Sequence, residues 1–183
     1  MCHAAAPLLA ALAMNSGPAP EPAPRRHALV ADLGLHVVGV GYQRRVNCYL
    51  ATQVSVSYYA PWTMNLNVLG LAGDGHSGQA DTAGVVVRAR AFLFGAGEAP
   101  TGFWLSPFVQ TGAVWATRGG AQVFGPTVAV GLSAGWTFAL GDRVLLGLGL
   151  GGQYHAAWFE GDVQEPGFER FSPTVDINLG VRL

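Results

Sequence analysis

The chain has 183 residues, of which 50% are apolar and 11% are charged, and its formal net charge is −1 at pH 7. In soluble domains about a quarter of the residues are charged, so this composition indicates a surface that faces something other than water. The balanced net charge gives no basic patch of the kind that binds nucleic acids. No segment approaches the roughly 18 uninterrupted apolar residues of a membrane-spanning helix, and the 26 glycines oppose helix formation. If the chain spans a membrane, it must do so as a closed β-barrel, which satisfies every backbone donor and acceptor internally.

The first 26 residues are predicted to lie outside the folded domain. Residues 1–13, MCHAAAPLLAALA, hold a short apolar core that ends in small residues, as in a secretory signal peptide. Residues 14–26 are rich in proline and alanine and predict an extended, disordered linker. Removal of the signal would take Cys2 with it and leave Cys48 unpaired. We assign residues 27–183 to one barrel domain.

Eight strand-like segments follow along the chain. Side chains of a strand alternate between its two faces, and in the last ten residues, TVDINLGVRL, every odd position from Val175 to Leu183 is apolar and every even position is polar or small. Alternating segments of about ten residues are typical of transmembrane β-barrels. The fold class is therefore all-β, an eight-stranded antiparallel transmembrane barrel. The predicted strands are 28–36, 38–46, 49–62, 82–94, 102–116, 127–140, 144–159 and 173–183.

The connections between these segments alternate in length. Residues 65–81, 117–126 and 160–170 form long connections, whereas 44–48, 95–101 and 141–143 are short. Outer-membrane barrels have short periplasmic turns and long external loops, so both termini are predicted to lie in the periplasm. With these directions the outward aromatic rings form two belts, as amphipathic rings do at membrane interfaces. The outer belt holds Tyr58, Trp62, Trp115, Tyr154 and Trp158, and the inner belt holds Tyr42, Phe103, Trp136 and Phe138.

Charged residues predict the content of the lumen. Arg88 and Arg90 share one face of the fourth strand, whose other face is apolar. An arginine that faces lipid near the midplane costs about 2 to 4 kcal/mol, so both should point inward. Asp32 and Asp176 lie on the first and last strands, which adjoin when the barrel closes, and are the predicted partners in a lumenal ion network. Further lumenal polar residues are His36, His155, Gln53, Gln110, Gln153 and Tyr59.

An eight-stranded interior is wide enough for side chains or one small ligand, so this network is expected to fill the lumen rather than to line a pore. A histidine beside a serine and a carboxylate would support acyl transfer, as in outer-membrane lipid A deacylases and palmitoyl transferases. His155 is followed by two alanines, and Ser55 and Ser57 could reach it only across the barrel. No ligand spacing supports a metal site, and no cofactor is expected. The pattern favours a structural or binding protein over an enzyme.

Two longer segments carry a resemblance. Residues 102–112, GFWLSPFVQTG, and 128–155, VAVGLSAGWTFALGDRVLLGLGLGGQYH, resemble an uncharacterised family of small Gram-negative outer-membrane barrel domains, a domain of unknown function. Its members show an aromatic-rich strand with a central proline and then a glycine-rich hairpin. Residues 31–46 are similar to the first two strands of that family. The resemblance implies a bacterial outer-membrane barrel and no particular activity.

The last strand also resembles in part the signal that the barrel assembly machinery reads during insertion. Asp176, Val181 and Leu183 match its spacing, whereas Asn178 stands where glycine is usual and Leu183 replaces an aromatic residue. The sequence thus predicts a monomer in contact with outer-membrane lipid, with a structural role or with adhesion or binding through external loops whose ligand is unknown. The alternatives are a lipid-modifying enzyme, a narrow channel and a soluble ligand-binding β-barrel.

Overall fold

The computed structural model describes residues 26–59, 82–118, 121–159 and 170–183. Eight strands form a closed barrel in which each strand pairs antiparallel with its neighbours in chain order, and β1 closes the barrel on β8. The predicted all-β, eight-stranded antiparallel barrel is confirmed. Among the described residues no helix is long and apolar enough to cross a membrane. The strands are β1 (His27–Gly34), β2 (Val37–Arg45), β3 (Leu50–Tyr59), β4 (Thr82–Ala96), β5 (Gly102–Arg118), β6 (Ala121–Leu140), β7 (Val144–Ala157) and β8 (Arg170–Arg182).

The two ends of the barrel differ in their connections. We call the end with the connections 46–49, 97–101 and 141–143 the turn end, and the opposite end the loop end. The prediction of a long connection over residues 117–126 at the loop end is wrong. Strand β5 continues to Arg118, β6 begins at Ala121, and the two strands pair as far as Arg118 and Ala121. Gly125 and Pro126 suggested a loop, but pairing with β5 keeps this segment extended. Proline is tolerated there because β6 begins to pair with β7 only at Thr127.

The structure places His36 and Cys48 differently from the sequence predictions or adds to them. The first strand ends at Gly34, so His36 lies in the turn before β2 rather than within a strand. Cys48 is not a free cysteine in the uncleaved chain, and its unpaired state after removal of the signal peptide stays a prediction. The predicted signal peptide and the linker up to residue 25 lie outside the described residues, as do Trp62, the whole connection 65–81 and residues 160–169.

The barrel wall separates polar from apolar side chains. On β3, alternate residues from Ala51 to Tyr59 are buried in the lumen and the residues between them are exposed. On β8, the even positions from Ser172 to Gly180 face inward, while Ile177, Leu179 and Val181 are exposed on the outer wall. Of the predicted belt residues, Tyr58, Tyr154 and Trp158 are exposed near the loop end and Trp115 is partly buried there, while Tyr42, Phe103, Trp136 and Phe138 are exposed near the turn end.

Apolar layers close the lumen above and below a polar middle. At the turn end, Phe92, Phe94 and Trp104 pack with Ala51 and with Ala99, which the 97–101 turn folds inward. At the loop end a second cluster joins β2, β3, β4 and β5. Its members are Val37, Tyr59, Val86 and Val114, with Ala157 and Phe159 packed against them.

Candidate functional site

Arg90 is held in the centre of the lumen by a bidentate contact with Asp176. Its Nη1 and Nη2 donate to the two carboxylate oxygens, at 3.0 Å to Oδ1 and 2.9 Å to Oδ2. Its Nε donates to Ser106 Oγ at 3.2 Å, and Nη2 also donates to Ser133 Oγ at 2.8 Å. Paired donors in this fork geometry make the stronger, charge-assisted type of hydrogen bond. The guanidinium is therefore fixed by β5, β6 and β8 together.

Arg88 joins the two aspartates into one network. Its Nη1 lies 3.4 Å from Asp176 Oδ1 and 3.5 Å from Asp32 Oδ1. Its Nε donates to Gln110 Oε1 at 3.1 Å, and Ser55 donates to Asp32 Oδ2 at 2.7 Å. All four ionic side chains are buried. Their formal charges cancel, which is the condition under which a buried charge cluster is tolerated.

Strand register explains why these four residues meet. Arg88 and Arg90 face Ser55 and Gln53 across the β3–β4 ladder, three strands away from β1. Asp32 pairs with Asn178, and Asp176 pairs with Gly34, so the aspartates sit diagonally on adjacent strands. Long arginine side chains cross the narrow lumen and reach the short carboxylates on the opposite wall. The structure thus brings together all four residues of the predicted ion network.

Aromatic rings surround the guanidiniums. The Cζ atom of Arg90 lies 4.9 Å from the ring centre of Phe92 and 5.8 Å from that of Trp104. Phe108 contacts both arginines, at 5.0 Å from Arg88 Cζ and 5.5 Å from Arg90 Cζ. These distances fit cation–π contacts, which strengthen when the groups are desolvated. Trp104 and Phe92 are not among the predicted lumenal residues, although both share the inward parity of such residues on their strands.

Inward glycines make room for these rings. A Cβ atom on Gly131 would lie 2.3 Å from Cζ of Phe108, and one on Gly149 would lie 2.4 Å from Cη2 of Trp104. Real Cβ atoms do not approach other atoms this closely, so a larger residue at either position would displace a ring. The glycines of β6 and β7 therefore serve close packing across the lumen.

The remaining predicted lumenal residues are also inside. His155 lies near the loop end of β7. It shares a hydrogen bond with the Thr127 hydroxyl, and its Nδ1 lies 3.4 Å from the Tyr59 hydroxyl. Gln53 donates to Asn178 Oδ1 at 3.4 Å. The structure buries all six of these residues: His36, His155, Gln53, Gln110, Gln153 and Tyr59.

The serines do not form an acyl-transfer arrangement with the histidines. Ser55 donates to Asp32 instead. The hydroxyl of Ser57 has no hydrogen-bond partner among the described residues. A nucleophile needs a hydrogen-bonded base, and neither serine has a histidine in that position.

We expect acid to destabilise the barrel through His36, which lies in the turn at the loop end. Burial lowers the pKa of His36 from 6.5 to about 4, so the unfolded chain binds more protons than the folded chain between these two pH values. The free energy of unfolding should fall by ~3 kcal/mol as the pH is lowered through this window. Urea unfolding at a series of pH values measures this, with His36→Gln as the reference. An equal pH dependence in both proteins would contradict the assignment.

Comparisons with known proteins give one structural likeness. No family model matches the chain, and no curated protein sequence matches it. The chain is similar to the crystal structure of Neisserial surface protein A (NspA), with 14% sequence identity and a TM-score of 0.48, over 86% of this chain and 94% of that chain. At this identity and TM-score no property of that protein is carried over to this chain.

Proposed function

We propose that the chain is a small outer-membrane β-barrel protein with a packed, non-conducting lumen that carries external loops. The observation that supports this most strongly is the inverted distribution of polarity. The outer wall exposes large apolar side chains such as Val40, 72% exposed, and Leu150, 67% exposed, while Arg88 and Asp176 are at most 2% exposed in the interior. A soluble ligand-binding barrel would need the opposite arrangement, because each exposed apolar surface is unfavourable in water. In a lipid bilayer the same apolar wall contacts acyl chains, which is favourable.

The filled lumen favours a structural or binding role over a channel. Apolar clusters stand at both ends of the barrel, and the charge-balanced network of Arg88, Arg90, Asp32 and Asp176 occupies the middle. A cavity in the lumen beside Phe92 and Asn178 has a volume of about 10 Å³, which is room for one water molecule.

The remaining parts of the proposal concern surroundings and partners. The turn end would face the periplasm, and insertion of a monomer would use the barrel assembly machinery and end in contact with outer-membrane lipid. Adhesion or ligand binding would belong to the loops, above all to residues 65–81, which lie outside the described residues. Membership of the uncharacterised Gram-negative family rests on the resemblance of residues 102–112 and 128–155 and is part of the proposal.

Cysteine scanning of β8 tests the membrane proposal. Single cysteines at Ile177, Leu179 and Val181 should react with a lipid-confined label, whereas cysteines at Thr174 and Gly180 should be spared, because the first three point outward. Each variant is first checked for a folded barrel by its mobility in SDS with and without boiling. Uniform labelling of folded variants would contradict the proposed orientation.

We expect no sustained conductance from the purified wild-type protein in planar bilayers, since side chains fill the lumen. Single-channel recording at low and high salt measures this, with a large general porin as the positive control. A steady, ion-selective current would show instead that Arg88 and Arg90 line a conduction path.

A further inference from the structure

A groove of about 510 Å³ lies on the outer wall between β5 and β8. One side is a row of outward side chains in direct register across four strands, Phe103↔Trp136, Trp136↔Leu148 and Leu148↔Ile177. The next row toward the loop end contains Ala134, Leu150 and Val175, also in register. Because Ala134 is much smaller than its neighbours, the wall is recessed there. Three strand spacings of ~4.8 Å make the groove roughly 14 Å long.

The groove lies near the middle of the apolar wall. Trp136 stands four residues before the end of β6 at Leu140, and Ala134 stands six residues before it. With a rise of ~3.3 Å per residue and a strand tilt of about 40°, the groove is roughly 10 to 15 Å above the turn end. That height is about half of the ~25 Å apolar band of such barrels. The acyl chains of a lipid whose headgroup lies at the turn end extend to this height, which is about half of the hydrocarbon core.

Several arginines lie at the turn end, close to the ends of β6, β7 and β8. Arg143 is exposed in the turn between β6 and β7, and the backbone N–H of Arg182 donates to its carbonyl oxygen at 2.7 Å. Arg26 lies beside Arg182 around a small cavity of the turn end. Glu98 is paired with Arg45.

Cations therefore outnumber anions at this rim. Among the described side chains of the turn end the arginines are Arg26, Arg44, Arg45, Arg143 and Arg182, and the carboxylates are Glu98 and Asp142. An excess of arginine beside a membrane surface attracts anionic headgroups. An exposed guanidinium also binds a phosphate through paired hydrogen bonds.

We propose that this wall binds an anionic phospholipid of the periplasmic leaflet, with its phosphate at the arginines near Arg143 and one acyl chain in the groove beside Ala134. The inference rests on the proposed function, since it needs the barrel in a bilayer with its turn end in the periplasm. The positive charge of the turn end favours an anionic lipid in the groove over a second copy of the chain. Two copies packed through this face around an axis along the membrane normal would bring their Arg143 rims together, and like charges repel.

Lipid retention tests the proposal. The full chain is reconstituted in bilayers of equimolar phosphatidylglycerol and phosphatidylethanolamine, extracted in mild detergent and weighed by native mass spectrometry. We expect one retained phosphatidylglycerol, favoured about fivefold over phosphatidylethanolamine. Ala134→Leu should reduce retention of both lipids by filling the groove, while Ala89→Leu, an exposed alanine on the outer face of β4, should not. Arg143→Gln should abolish the preference, and Arg44→Gln, on β2 at the same rim, should keep it.

The outcomes separate this inference from the proposed function. A protein that never becomes heat-modifiable in bilayers would refute the membrane proposal itself. A folded, inserted protein that retains both lipids equally, or whose retention is unchanged by Ala134→Leu, would overturn only the lipid site. A dimer mass that Ala134→Leu removes would also overturn it and would assign the groove to a second copy.

Discussion

Replacement of Asp176 by alanine is expected to lower the free energy of unfolding by about 3 to 5 kcal/mol, the range for a buried ion pair that loses one partner. Asp176 is fully buried and accepts from both Arg90 and Arg88. After the substitution the hydrogen bonds left to Arg90 are those with the hydroxyls of Ser106 and Ser133. Asp32 would then be the one carboxylate left for two buried arginines, so a positive charge would remain uncompensated in the lumen. Urea unfolding in lipid vesicles, followed by tryptophan fluorescence, measures the change.

Asn178→Ala is the matched control for this substitution. Asn178 lies two residues further along the same strand on the same inward face, and its amide oxygen accepts one hydrogen bond of 3.4 Å from Gln53. Its loss should cost about 1 kcal/mol. Exchange of the pair for apolar residues, Asp176→Leu with Arg90→Met, should recover most of the stability, because the desolvation penalty disappears with the charges. Equal losses for Asp176→Ala and Asn178→Ala would show that water reaches the network.

Much of this fold follows from residue parity alone. A strand has only two faces, so Arg88 and Arg90 on one face of an otherwise apolar segment define which side is the lumen. Closure then makes β1 and β8 neighbours, and that brings Asp32 and Asp176 to adjacent positions. These steps need only the alternation of side chains and the high cost of a charge in lipid.

Parity does not show which side chains meet across the lumen. Trp104 could be placed inside, but its position over Gly135 and Gly149 depends on the stagger of all eight strands, which no local pattern encodes. The extension of β5 to Arg118 and of β6 back to Ala121, across Gly125 and Pro126, does not follow from the local sequence either. Pairing with a partner strand outweighs the local turn propensity there. The groove at Ala134 arises from the sizes of neighbours on four strands and becomes visible only once their register is known.

Trp104→Ala is the second substitution with a large expected effect, a loss of about 3 to 5 kcal/mol in the free energy of unfolding. Trp104 is fully buried at the turn end, and its ring meets Phe92 edge-on at 5.2 Å between centres. The inward faces of Gly135 and Gly149 carry no side chains that could fill the vacated space. Retention of the folded band on SDS gels after urea treatment measures stability without relying on the fluorescence of the removed tryptophan.

Trp158→Ala is the control for this cavity, because Trp158 is exposed on the outer wall, where lipid can replace the lost ring. We expect it to cost clearly less than Trp104→Ala. Trp104→Phe should be milder than Trp104→Ala, since the indole N–H has no hydrogen-bond partner among the described residues and the smaller ring keeps most of the contact with Phe92. If Trp104→Ala and Trp158→Ala were equally mild, the turn end would be hydrated rather than packed, and the lumen would lack the apolar layer that closes it below the ion network.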